Sequence, residues 1–350
     1  MKYLIDEVYE LTEEDKKNAT SKAREDIKEI FKLNGFCILP KIITAKKSKT
    51  IIGKFFLNIK SLFEWMRFIS TKNFCRNDIV CIQYPTINYP FGFSYILQSM
   101  QKKNIKILAI IHDLNSIRYP NFKSYKKKEI KTLDSFDILI DHNLKMRNKL
   151  KVLGIKHPHI VDLELFDYIS KRTDLYENKI DVDVVVAGNL SKSKSGYLYH
   201  LPKNLTFGLY GLNYEGNCNN VLYYGAFSPD ELPNMLHGRF GLVWDGPSNT
   251  TCEGNYGEYL KINNPHKVSL YLASGIPIIV WNQSAIADFV KKYECGISVS
   301  SLSDISLYLD SIDKLQYEKM LANSRILANK VRNGEFTKKA LNVAMQIINR

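Results

Sequence analysis

The sequence predicts an α/β protein of two Rossmann-like, doubly wound domains with a long C-terminal helix, on three observations. Short apolar runs alternate with amphipathic stretches along the chain, the order produced when helices cross between neighbouring strands of a parallel sheet. At 350 residues the chain exceeds the size at which one hydrophobic core usually stops growing. Between Phe166 and Lys179 the alternation gives way to a polar stretch with no apolar period, and then it restarts.

In the first half, Lys2 to Val8 reads as a strand, Asn18 to Asn34 as a helix and Gly35 to Leu39 as the next strand. A long basic helix runs from about Lys49 to Ile69. Asp78 to Gln83 and Ile105 to Ile111 are short apolar runs that end in polar or turn-forming residues, as buried strands do. Asp137 to Ile140 and His159 to Leu163 bring the first sheet to five or six strands. The second half supplies strands in DVDVVVAG, LTFGLYG, LYYGAF, RFGLVW, IPIIVW and GISVS. Helices are expected in SPDELPNML, in NPHKVSLYLASG and from Ser284 to Lys292. From Lys314 to Arg350 the helical period is long and Gly334 is its one glycine. The expected division is residues 1–165, residues 181–313, and a C-terminal helical segment, 314–350, that crosses back to the first domain.

A composition of 45% hydrophobic and 24% charged residues is that of a folded globular protein, not of a disordered chain. The first fifteen residues carry acids and lack the pattern of a signal peptide, and no apolar run reaches bilayer-spanning length. The expected location is the cytoplasm. The six cysteines show neither a CxxC pair nor a histidine at zinc spacing, which argues against a metal knuckle or a redox pair. A net charge of +13 is unevenly spread: Lys41 to Arg76 holds nine basic residues against Glu64 alone, and Lys126, Lys127 and Lys128 form a second cluster. Anionic lipid headgroups or a nucleic-acid backbone would suit such a surface.

Parallel sheets bind ligands outside the carboxyl ends of their strands, so the loops there hold the candidate residues. Three such loops stand out in the second half. Ala187 to Gly196 places Gly188, Asn189, Lys192 and Lys194 directly after an apolar run. Asp245 to Asn263 is a nineteen-residue connection, a length that usually serves function, and it carries Asp245, Glu253 and Glu258. The third begins at Asn263: Asn264 is a candidate helix cap, Pro265 suits the first helical position and Gly275 closes the helix. Lys267 falls in the first turn, where a cation opposes the helix dipole, and a bound anion would reverse that sign.

In the first half His112 and Asp113 end a strand, where they could act as a base or hold a substrate. Asp181 and Asp183 spell a DxD pair, but they precede an apolar strand, whereas a metal-binding DxD follows one. The dinucleotide fingerprint GxGxxG and the phosphate loop GxxxxGK[ST] are absent.

The segments AGNLSKSK, FGLVWDG, GEYLKINNPHKVSLYLASGIPIIVW and AIADFV, together with IHDL in the first half, resemble the bacterial β-1,6-galactofuranosyltransferases of lipopolysaccharide and capsule assembly. The related glucosyltransferases that extend GlcNAc on serine-rich adhesins share them. The resemblance covers most of the chain and is strongest from Val184 to Val290. It implies the two-domain glycosyltransferase fold GT-B, with a nucleotide-sugar held by the C-terminal domain and the acceptor by the N-terminal one, across a cleft. By the same match Lys267 is the diphosphate lysine and Lys192 the basic residue of the first loop, with Gly188, Asn189, Asn263, Asn264 and Asp245 as further donor contacts. Tyr210 and Phe227 are candidates for the nucleobase.

The implied chemistry is metal-independent and inverting, with no cofactor beyond the UDP-sugar substrate. Lys267, Lys192 and the helix N-terminus would stabilise the leaving diphosphate. Asp113 is the expected base, with His112 and Glu253 behind it. The implied partners are a UDP-sugar, a lipid-linked sugar acceptor and an anionic membrane surface, with self-association compatible with the sequence. A basic nucleic-acid-binding protein is the competing reading from another class. Against it, the basic residues lie mainly on first-half helices, while the unusual loops cluster in the second half.

Overall fold

The computed structural model describes residues 1–8, 21–43, 50–87, 90–119, 123–156, 159–170 and 180–350. Two six-stranded sheets organise them. The first contains β1 (Lys2–Val8), β2 (Cys37–Ile42), β3 (Ile79–Tyr84), β4 (Lys106–Ile111), β5 (Ile138–Asp141) and β6 (Ile160–Asp162) in the order β2-β1-β3-β4-β5-β6. Neighbours are parallel throughout. Strand β3 is buried at every position, which is why its sequence, IVCIQY, is a nearly continuous apolar run.

The second sheet contains β7 (Val182–Asn189), β8 (Phe207–Leu212), β9 (Val221–Gly225), β10 (Gly238–Val243), β11 (Ile278–Trp281) and β12 (Gly296–Val299) in the order β12-β11-β10-β7-β8-β9. The chain steps outward from β7 to β9, returns to the other side of β7 as β10, and steps outward again. Its direction therefore reverses between β7 and β10, whose register pairs Val184 with Phe240 and Val185 with Gly241. Loops leaving two such strands diverge to opposite faces of the sheet, which opens a crevice at their carboxyl ends.

Alternation along these strands divides the core into two layers. Val185, Ala187, Val243, Ile278 and Val280 face one side with Val268, Leu272, Leu327 and Val331. Val184, Val186, Leu242, Ile279 and Trp281 face the other with Ile305, Leu309 and Met320. Both faces are covered, as a doubly wound sheet requires.

Several boundaries differ from the sequence expectation. The first helix is described over Lys22–Leu33, and the expected start at Asn18 lies outside the described residues. β2 runs on through Pro40, which an edge strand tolerates because it needs no amide on its outer side. The C-terminal region is two helices, Lys314–Arg332 and Glu335–Ile348, separated where Gly334 takes a left-handed φ of +71°.

Two compact units emerge. One is built from Ile27–Leu163 with the first strand and the chain's end, Lys338–Arg350; the other is built from Glu164–Thr337 with the start of the first helix through Asp26. The segment that opens the second unit is well tied to it. Leu165 and Tyr168 lie in its core, and the buried Asp167 carboxylate accepts the amides of Phe336 and Thr337 at 3.3 and 2.7 Å. Burial pushes that carboxyl up to about 7.

Candidate active site

The crevice predicted by the strand order is occupied by the three loops singled out in the sequence. Following β7, a short helix (Lys192–Ser195) carries the chain back toward the loop after β10. The two loops are stitched together: the Gly246 amide donates to the Lys194 carbonyl (2.9 Å), and the Tyr197 amide donates to the Gly246 carbonyl (3.2 Å). The helix His266–Ala273 supplies the third wall.

Lys267 projects from the first turn of that helix. Its ammonium donates to Asp245 Oδ1 at 2.9 Å and to the Trp244 carbonyl at 3.4 Å. Both side chains are nearly buried, so the pair is only weakly screened by solvent. The pairing offsets the unfavourable placement of a cation in a first helical turn. An ammonium has three donors, and these two contacts among the described residues leave one to offer an incoming anion.

Gly188 lies against the same lysine. Its φ is +126°, and a Cβ built there would stand 3.2 Å from Lys267 Cε. Glycine thus permits both the turn out of β7 and the close passage of the lysine stem. Gly188→Ala is expected to cost about 1–3 kcal/mol of stability and, through the displaced lysine, to weaken diphosphate binding at this loop about tenfold. Urea unfolding and calorimetric titration with pyrophosphate check this, and unchanged binding would leave Gly188 a purely structural residue.

One residue here escaped the sequence reading. Tyr271 is one turn beyond Lys267, and its buried hydroxyl accepts the Ala187 amide (2.8 Å) while donating to the Leu242 carbonyl (3.1 Å). It bridges β7 and β10 at the point where they part, and so fixes the lysine-bearing helix to both strands. Burial raises its phenol well above the usual range. Its i,i+4 relation to Lys267 was the available signal.

The remaining candidates are placed unevenly around this centre. Asn189 Oδ1 accepts the Ser191 amide at 3.0 Å, and Lys192 is exposed with its ammonium 5.5 Å from the Tyr199 ring centre. Among the described residues Asn263 Oδ1 is buried without a hydrogen-bond partner, a polar atom for which a ligand would compensate. Asn264 is committed elsewhere: its amide donates to the Glu164 carbonyl at 2.7 Å, and the helix starts after Pro265 with no side-chain cap. Tyr210 is 1% exposed beneath Tyr224, with ring centres 4.7 Å apart and nearly parallel, while Phe227 is half-buried beside it. Phe227 is the ring of the two with surface to offer a base.

Glu253 is exposed and precedes the short helix Gly254–Tyr259, and Glu258 pairs with Lys261. Asp181 pairs with His237 at 3.3 Å and Asp183, itself within β7, accepts the Thr206 amide and hydroxyl, so both DxD carboxylates have protein partners. Among the described residues no group of three or more His, Cys, Asp and Glu is arranged to hold a metal ion.

In the first unit, His112 and Asp113 follow β4 directly. His112 Nε2 lies 2.8 Å from Gln83 Oε1, and Asp113 Oδ2 accepts from Arg118 at 2.6 Å. Each side chain is thereby oriented by a neighbour that sequence spacing did not single out.

Comparison with known proteins agrees with this architecture. Residues 2–165 match the model of the glucosyltransferase 3-like N-terminal domain, and residues 184–344 match that of the C-terminal domain. The β-1,6-galactofuranosyltransferase WbbI of Escherichia coli K12 is 33% identical over 262 residues, covering 73% of this chain and 76% of that protein. Glucosyltransferase 3 of Streptococcus gordonii is 26% identical over 266 residues, covering 75% and 78%. Among solved structures, sucrose-phosphate synthase from Thermosynechococcus elongatus superposes with a TM-score of 0.65 at 11% identity, covering 99% of both chains, a likeness of fold. Two parallel sheets of this order, matched family domains over both halves and the two sequence relatives lead to one conclusion: the chain belongs to the glucosyltransferase 3-like family and is a hexosyltransferase of the GT-B fold.

Proposed function

We propose that this glycosyltransferase moves galactofuranose from UDP-galactofuranose to a lipid-linked sugar acceptor in cell-surface polysaccharide or lipopolysaccharide assembly, with inversion and without a metal. The observation that carries the donor site is the Lys267 ammonium, held on Asp245 at the carboxyl ends of β7 and β10. That position suits a diphosphate, whose charge grows as the glycosidic bond breaks. Lys267 stabilises the departing UDP, with Lys192 adding charge from the neighbouring loop. Asn263 supplies an acceptor atom to the bound donor, and Phe227 offers a ring face to the base.

In the first unit, Asp113 accepts the proton of the acceptor hydroxyl as its oxygen bonds to the anomeric carbon. UDP leaves with the electron pair of the broken bond. Arg118 holds the Asp113 carboxylate in one orientation during this step.

The donor assignment is favoured by the higher identity to the E. coli relative, named for galactofuranosyl transfer. It is tested by steady-state turnover with UDP-galactofuranose and UDP-glucose. The expected result is a preference of at least about tenfold in kcat/KM for the furanose. A preference for UDP-glucose would move the enzyme to glucosyl transfer onto protein-linked GlcNAc, and turnover of neither sugar would sink the donor reading.

A further inference from the structure

The helix Ile51–Thr71 of the first unit has two apolar faces, and among the described residues only one of them is packed. Ser61, Trp65 and Ile69, four residues apart, are buried against the rest of the unit. The Trp65 ring meets Phe93 with centres 4.8 Å apart, and the Lys41 ammonium sits 4.6 Å over it. On the opposite side Ile52, Phe55, Phe56, Ile59, Phe63 and Met66 recur at helical spacing and point to solvent. Phe55 is 55% exposed, and Phe56 and Phe63 are each 65% exposed. Scattered exposed apolar residues are ordinary, but a six-member stripe along four turns of one helix marks an interaction surface.

The charges around the stripe identify what it meets. At 100° per residue Lys60 and Arg67 flank it along one edge, both exposed. The helix's one acid, Glu64, lies 3.8 Å from Lys60 and so is partly neutralised. Beyond the helix the surface continues in kind. Leu62 and Tyr95 both border Gly92, and the exposed Tyr95 ring has its centre 3.8 Å from the Lys131 ammonium. Phe91, also exposed, lies 4.6 Å from Lys128. Lys126 and Lys127 stand exposed on the same helix as Lys131.

Aromatic and aliphatic side chains bordered by lysine and arginine are the composition of a helix that lies in the headgroup region of an anionic bilayer. A second copy of the chain would bring like charges together at the rim. A nucleic acid would leave the aliphatic stripe unmatched, since phosphate contacts need cations at the centre of the surface.

We propose that the face of helix Ile51–Thr71 carrying Phe55, Phe56 and Phe63 docks this enzyme on an anionic lipid surface, with Lys60 and Arg67 at the headgroups. The inference rests on and deepens the lipid-linked acceptor of the proposed function, and it is independent of which donor sugar is used. Lys46, Lys47 and Lys49 of the basic stretch from Lys41 to Arg76 lie outside the described residues.

The test is co-sedimentation of the full chain with phosphatidylcholine vesicles, with and without phosphatidylglycerol, alongside sedimentation velocity and UDP binding. The wild type is expected to pellet with the anionic vesicles and to be released by salt. The Phe55→Ser/Phe56→Ser/Phe63→Ser variant should lose at least about tenfold in partitioning. The Lys60→Glu/Arg67→Glu variant should lose the preference for phosphatidylglycerol, and both variants should bind UDP as the wild type does. A wild type that stays in the supernatant, or a triple variant that still pellets, would overturn the proposal. A wild-type dimer that the triple variant dissociates, with no vesicle binding, would reassign the face to self-association. Loss of UDP binding by the wild type itself would instead strike the donor reading and leave the vesicle result standing.

Discussion

Lys267→Ala is expected to lower kcat/KM for the sugar donor by about 100- to 1000-fold, the usual cost of removing one preorganised donor from developing negative charge. Its side chain passes Gly188 at the end of β7 with Cε, and its ammonium is held by Asp245 in the β10 loop. The substitution has a second consequence. It leaves the Asp245 carboxylate, 8% exposed, without its cationic partner, and breaking such a pair from one side costs about 3–5 kcal/mol in a well-buried setting. Loss of activity in the single variant could then be ascribed to unfolding. Lys267→Ala/Asp245→Asn separates the two effects: neutralising the abandoned carboxylate should recover most of the unfolding free energy while transfer stays low. Recovery of transfer along with stability would remove Lys267 from the chemistry.

Asp113→Asn should reduce kcat by about 100- to 10,000-fold with little change in the donor KM, because a general base acts on the acceptor proton. The amide keeps the shape of the side chain and can still accept from Arg118, so folding is expected to hold. The informative readout is the pH profile: the acid-side fall in kcat/KM, set by protonation of the base, should disappear from the residual activity. If Asp113→Asn keeps both its rate and the acid limb, the base lies elsewhere, and the same profile on His112→Gln and Glu253→Gln would locate it.

The two sheets were legible because each strand contributes a short apolar run that ends in a polar or turn-forming residue, and β3 and β10 show this most plainly. Lys267 and Gly188 were legible for the same reason. A lysine in the first turn of a helix and a glycine directly after an apolar strand are locally odd, and local oddity is visible without tertiary contacts. What stayed hidden depends on neighbours distant in sequence. Tyr271 acquires its role only because β7 and β10 lie side by side, which brings Ala187 and Leu242, far apart in sequence, to one hydroxyl. Asn264 looked like a cap, yet a carbonyl a hundred residues earlier takes its amide. Tyr210 looked available to a base, yet Tyr224 on the neighbouring strand covers it. The stripe on helix Ile51–Thr71 was read as charge because its lysines are conspicuous in sequence, while its exposed phenylalanines look like core until the packed side is known.

The most direct test of the central claim is calorimetric titration of UDP into the wild type, Lys267→Ala/Asp245→Asn and Asp113→Asn. The wild type and Asp113→Asn should bind UDP alike, and the Lys267 variant should bind at least about tenfold more weakly, as loss of a charge-assisted contact to phosphate requires. Equal binding by all three proteins, or no binding by the wild type, would contradict a diphosphate site at the carboxyl ends of β7 and β10.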